Sequence, residues 1–311
     1  MLVDVGAAGS APPGWEALAP HAAYLAFDAD RDATLPAFAA RFEKSHLEHA
    51  AVVPQATDKT TLHLTRYPRC SSTLPPDPAV VSQYLYGELF DVERALEVPA
   101  TTLGVALQRA GLERIDWLKL DTQGTDLRLY LSLNEKLRSG LLAVDLEPGL
   151  VAAYKGEDTF PEVHQRLGAD GFWLCTANLG ATVRMDAEAL AWARGQGLNL
   201  PTRGIEDAQT PAPAWIELRY LRAASSLDAL PQATRREYEL LWCFAMLCRQ
   251  HGFAVEVARA LSRRFGADQA SADLAAQALA KLKGGAWRRF MAGARRLAPA
   301  SLKKLLRNLG G

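Results

Sequence analysis

Short apolar runs of strand length alternate with helix-period stretches through the first two hundred residues, and this rhythm constrains the fold more than any other feature. Residues 2–5, 23–27, 50–53, 115–120, 141–146 and 171–175 lack polar alternation, the pattern of strands buried on both faces. Helices are expected between several of them, near residues 35–48, 103–110 and 160–167. Strand and helix in alternation build a doubly wound parallel sheet. Residues 57–65 break the rhythm, because 59–65 alternate polar and apolar with period two and predict a local hairpin. Residues 67–78, with four prolines, read as a loop of the kind that forms sites at sheet edges. Residues 215–221 read as the last strand. Beyond residue 225 the pattern is helical. An amphipathic run over 237–250 is ended by Gly252, a second helix over about 253–265 stops at Gly266, and an alanine-rich third spans 270–283 before Gly284-Gly285 opens a tail.

Composition narrows the function classes. Of 311 residues 49 % are hydrophobic and 23 % charged, enough to bury a sizeable core. Lys plus Arg and Asp plus Glu both number 35, which gives no global steering toward nucleic acid or membrane. The balance hides an asymmetry: no acid follows Asp273, while nine bases do, so residues 1–273 stand at −9. Nucleic-acid binding is not expected of an acidic body without an RNA-binding motif. Cys70, Cys175, Cys243 and Cys248 are scattered and form no zinc pattern, so free thiols in a reducing cytoplasm are expected. The chain opens on a strand rather than a secretory leader, and no apolar run approaches the roughly 20 residues that span a bilayer.

In a doubly wound sheet the ligand lies outside the carboxyl ends of the strands, where the connections reverse direction. After the first strand come Asp4-Val-Gly6-Ala7-Ala8-Gly9, small residues that let a backbone approach a ligand and leave N–H groups free. After the second comes Asp28, placed to accept hydrogen bonds from two vicinal ribose hydroxyls. Together they outline a nucleoside pocket. The turn does not spell GxGxxG, and Pro12-Pro13-Gly14 follows where a dinucleotide helix would meet a pyrophosphate, so a ligand without phosphates fits better than NAD.

Three segments carry a resemblance. They are Val3-Asp-Val-Gly-Ala-Ala-Gly-Ser10, Ile115-Asp-Trp-Leu-Lys-Leu-Asp-Thr-Gln-Gly-Thr-Asp-Leu127, and Leu146-Glu-Pro148 with Tyr154-Lys-Gly156, Phe160 and Gly171-Phe172. Over residues 1–222 the chain resembles the FkbM family of S-adenosylmethionine-dependent methyltransferases. The resemblance implies an α/β fold, a Rossmann-like seven-stranded class I methyltransferase sheet with one antiparallel strand, here followed by a C-terminal α-helical extension. The helical pattern and the run of bases beyond it divide the chain into 1–224, a helical extension 225–283 and a basic tail 284–311. The resemblance also implies S-adenosyl-L-methionine as cofactor and a hydroxyl acceptor on a saccharide, glycoconjugate or related metabolite. By the same resemblance Asp4, Gly6, Ala7, Ala8 and Gly9 would line the methionine and ribose side, and Asp28 would hold the ribose. Asp121 and Gln123, with Gly124, would face the sulfonium and acceptor, Glu147 would complete the mouth, and Asp58 would meet the adenine edge. Many relatives carry Glu where this chain has Gln123.

Methyl transfer is an in-line displacement, so near-attack geometry supplies most of the rate, and an alcohol also needs its proton removed. Asp121 or Glu147 would act as that base, with His164 as an alternative that reads better as a packing residue. Asp121, Asp145 and Glu147 as magnesium ligands are a minor alternative, and no metal is expected. A noncatalytic methyltransferase-like module, binding a partner through the helical extension, is the competing class. In the tail, Trp287, Phe290, Met291, Ala294 and Leu297, then Leu302, Leu305, Leu306 and Leu309, recur at helical spacing with bases between. A helical pair packed on the acidic body accounts for this. Peripheral contact with the inner face of an anionic membrane is the alternative.

Overall fold

In the computed structural model, residues 1–297 are described except 8–11, 13 and 31, with the backbone alone at 202 and 285–297. The chain divides into two compact units, Met1–Ala223 and Ala224–Gly311.

The first unit is α/β. Its strands in chain order are β1 Leu2–Val5, β2 Ala23–Phe27, β3 Lys44–Glu48, β4 Ala51–Val52, β5 Lys59–Thr65, β6 Val92–Thr101, β7 Trp117–Leu120, β8 Ala143–Leu146, β9 Phe172–Thr182 and β10 Ala212–Arg222. Seven form one sheet in the order β3-β2-β1-β7-β8-β10-β9. All neighbours pair parallel except β10, which runs antiparallel to both β8 and β9. The chain leaves β1 toward β2 and β3, then returns to β7 on the other side. The connections therefore reverse between β1 and β7, the point at which a doubly wound sheet places its ligand.

The two faces of this sheet differ because side chains alternate along each strand. Val3, Val5, Leu25, Phe27, Leu118, Leu120, Val144 and Leu146 all lie in one hydrophobic cluster. The helices Leu103–Arg109, Asp126–Ser132 and Phe160–Ala169 cover it with Leu107, Leu129, Val163 and Leu167. The alternate positions carry aromatics and charges. Trp15 meets Tyr24 and Trp117 edge-on, and Tyr24 stacks on Phe42. On the same face Asp4 stands in register with Lys119, and Asp145 with Arg219. Asp145 is held by Arg219 through two contacts of 2.8 and 2.7 Å, with the guanidinium 4.6 Å from the Trp117 ring centroid.

Residues 35–48 are not one helix: a 3-10 turn Ala37–Arg41 leads into edge strand β3, whose first three residues are exposed. β5 is not half of a local hairpin, since it pairs antiparallel with β6 in a separate sheet ordered β4-β6-β5. Gly252 ends nothing: it lies inside the helix His251–Phe265, and the preceding helix Arg235–Leu247 stops just before Arg249, whose φ is +59°.

The second unit is helical, built from Ala224–Asp228, Arg235–Leu247, His251–Phe265 and Gln269–Leu297. A capping box, Thr234 with Glu237, starts the second of these, and Gly266 with φ +88° ends the third. Tyr238, Leu241, Phe244, Val257, Leu261 and Ala278 form its buried interior. The last helix continues through Gly284-Gly285, where the sequence pattern had placed a break. Among the described residues no helix is long and apolar enough to cross a membrane.

Candidate functional site at the β1/β7 switch

The carboxyl ends of β1 and β7 are joined by hydrogen bonding beyond the strands, with Asp121 N–H donating to Val5 O at 3.1 Å. Gly6 follows with φ +83°, and a β-carbon there would lie 2.1 Å from the Asp121 carbonyl oxygen. The small residue is therefore required first by the approach of the chain to itself. Ala7 N–H is not free either, because it donates to Phe27 O at 3.2 Å. Ala8 and Gly9 lie outside the described residues.

Lys119 organises the charges at this end. Its Nζ is 3.0 Å from Asp4 Oδ1, 3.5 Å from Asp121 Oδ2, and donates to Gly6 O at 3.1 Å. Asp4 is 2 % exposed, and its other oxygen accepts from Tyr24 Oη at 3.0 Å. Burial pushes the Asp4 carboxyl up, opposed by Lys119, and the two carboxylates push the Lys119 ammonium up against its own burial. Lys119 thus stays charged, with Asp4 held between it and Tyr24.

Asp121 is further held by Gln123, whose Nε2 donates to Asp121 Oδ1 at 2.9 Å. That contact depends on a left-handed turn, with φ +56° at Gln123 and +106° at Gly124. Gln123 Oε1 lies 3.0 Å from Tyr154 Oη, which also reaches Cys70 O at 2.8 Å. Ser72 Oγ donates to Gln123 O at 2.7 Å, so the proline-rich loop is laid across the turn. The amide at position 123 satisfies a donor on one side and an acceptor on the other. A carboxylate could serve only Tyr154.

Asp126, 1 % exposed, ties the ends of β7 and β8 together. Its Oδ1 accepts from Thr122 N–H at 2.9 Å and Thr122 Oγ at 2.6 Å, and its Oδ2 accepts from Glu147 N–H at 2.8 Å. Glu147 is thereby anchored by its backbone, while its carboxyl has no hydrogen-bond partner among the described residues. Burial, then the negative charges of Asp121, Asp126 and Glu217, push that carboxyl up to about 8. The Glu147 charge in turn helps burial push the Cys70 thiol up to about 11. Glu157 braces the following loop, accepting from Gly149 and Tyr154 N–H at 2.9 and 3.0 Å, with its carboxyl pushed by burial to about 7. Arg128 grips Asp158 at 2.8 to 3.2 Å and completes the brace.

The remaining candidates stand apart. Asp28 follows β2 and is half-buried; its Oδ1 accepts from Asp30 N–H at 2.9 Å, and its second oxygen has no partner among the described residues. Asp58 is exposed at the start of β5 in the small sheet, with no hydrogen bond to the switch-point residues. His164 Nδ1 lies 2.9 Å from Tyr220 Oη and its ring stacks on Phe160, a packing role. Asp145 is committed to Arg219, so the oxygen cluster for magnesium is not assembled, and among the described residues no group of three or more His, Cys, Asp and Glu side chains could hold a metal.

Sequence reasoning thus brought together Asp4, Gly6, Asp121, Gln123 and Glu147, and missed Lys119, Asp126, Tyr154 and Ser72. Lys119, Asp126 and Tyr154 lay inside the segments that carry the resemblance, and polar residues in an apolar strand and at a helix start were the available signal. Neither a family model, nor a curated protein, nor a solved structure matches this chain.

Proposed function

We propose that the first unit is an S-adenosylmethionine-dependent O-methyltransferase of the class I type, acting on a hydroxyl of a saccharide, glycoconjugate or related metabolite. The observation that carries this reading is the Glu147 carboxyl, unpartnered among the described residues just beyond the end of β8 and pushed up to about 8 by burial and then by the charge of the tethered Asp121. The strand order with one reversed strand supports it, as does the resemblance of the β1 and β7 segments.

The donor set fits the cofactor's chemistry. The second oxygen of Asp28 would take ribose hydroxyls, and Gly6, Ala7 and Asp121 would border the methionine side. S-adenosylmethionine, when bound, supplies an electrophilic methyl group on a sulfonium. Gln123 and Lys119 fix the Asp121 carboxylate so that it costs no reorganisation on meeting a cation. Glu147 accepts the proton of the attacking hydroxyl at its carboxylate oxygen, which requires its ionised form. Tyr154, Cys70 and Ser72 hold the proline-rich loop against this end and limit water there.

One observation favours a second reading. Both oxygens of Asp121 and the N–H of Ala7 are already engaged within the chain, as a module that binds a partner without turnover would have them. Titration calorimetry with S-adenosylmethionine and S-adenosylhomocysteine separates the two. The enzyme reading expects both to bind and Asp28→Ala to weaken both about tenfold or more. Binding of neither favours the module, and binding of NAD(P) alone would favour an oxidoreductase.

A further inference from the structure

The helix Gln269–Leu297 begins seated in the second unit, with Ser271 and Ala278 buried, but Leu279 and Leu282 are 41 % and 42 % exposed. Because the helix does not break at Gly284-Gly285, these two leucines share one continuous register with the residues that follow. At about 100° per residue, Leu279, Leu282, Ala286, Phe290 and Leu297 fall in one narrow arc, which Trp287 and Met291 widen to about half the circumference. Lys281, Arg288, Arg289, Arg295 and Arg296 fall in the other half, while Lys283 falls in the apolar arc, where its long stem can carry the ammonium outward. No acid follows Asp273.

We propose that residues 279–297 lie along an anionic lipid surface, the apolar arc among the upper acyl chains and the bases at the headgroups. Charge selects this occupant. A second copy of the helix or a neutral bilayer would cover the apolar arc but leave the basic arc without counter-charge. The inference is independent of methyl transfer.

Co-sedimentation of the full chain with vesicles of phosphatidylcholine alone, or with about a third phosphatidylglycerol, tests it at low ionic strength. Binding is expected to the anionic vesicles and to be lost on neutral ones. Neutralising Arg288, Arg289, Arg295 and Arg296 to Gln should weaken it about fivefold per charge, two orders of magnitude or more together. Leu279→Gln with Leu282→Gln should weaken it about tenfold while leaving its salt dependence, with circular dichroism confirming retained helix. Absent binding to anionic vesicles, equal binding to neutral ones, undiminished binding of the arginine variant, or self-association in place of vesicle binding would each overturn it.

Discussion

Removing the Asp126 carboxylate should loosen the switch point and the loop that carries Glu147 together. Its two oxygens accept three hydrogen bonds in an environment that is 1 % exposed. Asp126→Ala deletes the acceptor and strands the Thr122 N–H and the Glu147 N–H, while the Thr122 hydroxyl, 2.7 Å from Thr125 Oγ, loses one of two partners. A hydrogen bond to a charged acceptor contributes about 1.5–3 kcal/mol, and a stranded buried donor costs about 1–3 kcal/mol. Because all three share one carboxylate the losses overlap, and about 4 kcal/mol is expected, roughly 10 °C in the melting of the first unit. Asp126→Asn keeps the volume and can still accept from Thr122, but turns an amide toward the Glu147 N–H, and should cost about 2 kcal/mol. Urea denaturation gives the total, and hydrogen exchange at the Thr122 and Glu147 amides locates it. An Asp126→Ala protein within about 0.5 kcal/mol of the parent, with both amides still protected, would refute the account of how these loops are held.

Other substitutions probe neighbouring contacts. Gly6→Ala forces a β-carbon toward the Asp121 carbonyl at a φ of +83° and should destabilise by about 3 kcal/mol, read by thermal melting. Gln123→Glu replaces the donor 2.9 Å from Asp121 Oδ1 with a second carboxylate, costing about 2–3 kcal/mol at pH 8 and less as acid lets one of the pair take up a proton; a loss independent of pH would contradict this. Glu147 binds its proton more tightly folded than unfolded, so its burial should make stability fall as pH rises from about 4.5 to about 8. Glu147→Gln should flatten that slope in denaturation series across the window. Under the enzyme reading the same substitution should lower kcat about a hundredfold and abolish the rise of rate through pH 8.

The sheet was legible wherever a strand is buried on both faces. β1, β2, β7 and β8 each appear as a largely apolar run because helices on one side and aromatics on the other exclude water from most positions. β3 was not legible, since an edge strand with Lys44, Ser45 and His46 exposed needs no apolar run, and the spacing of Phe38, Ala39 and Phe42 imitates a helix. β5 showed its alternation, but its partner β6 begins nearly thirty residues later and contains Pro99, so local spacing could not find the pair. At the site, residue types at strand ends pointed to Asp121 and Glu147, whereas their supports are non-local. Tyr154 reaches Gln123, and Ser72 reaches it from the other side, only after the loops have folded back. Conversely, Gly6 and Ala7 were legible as small residues at a turn but not for their main task, which is to bring β1 against β7 and β2.

The central claim is that the carboxyl ends of β1, β2 and β7 grip an adenosyl ligand with its sulfur turned toward Asp121. A crystal structure of the full chain grown with S-adenosylhomocysteine tests it most directly. The account predicts density with the ribose hydroxyls on Asp28 and the sulfur nearest Asp121 and Glu147. Ligand density away from these residues, or a crevice filled by the chain's own side chains at saturating ligand, would contradict it.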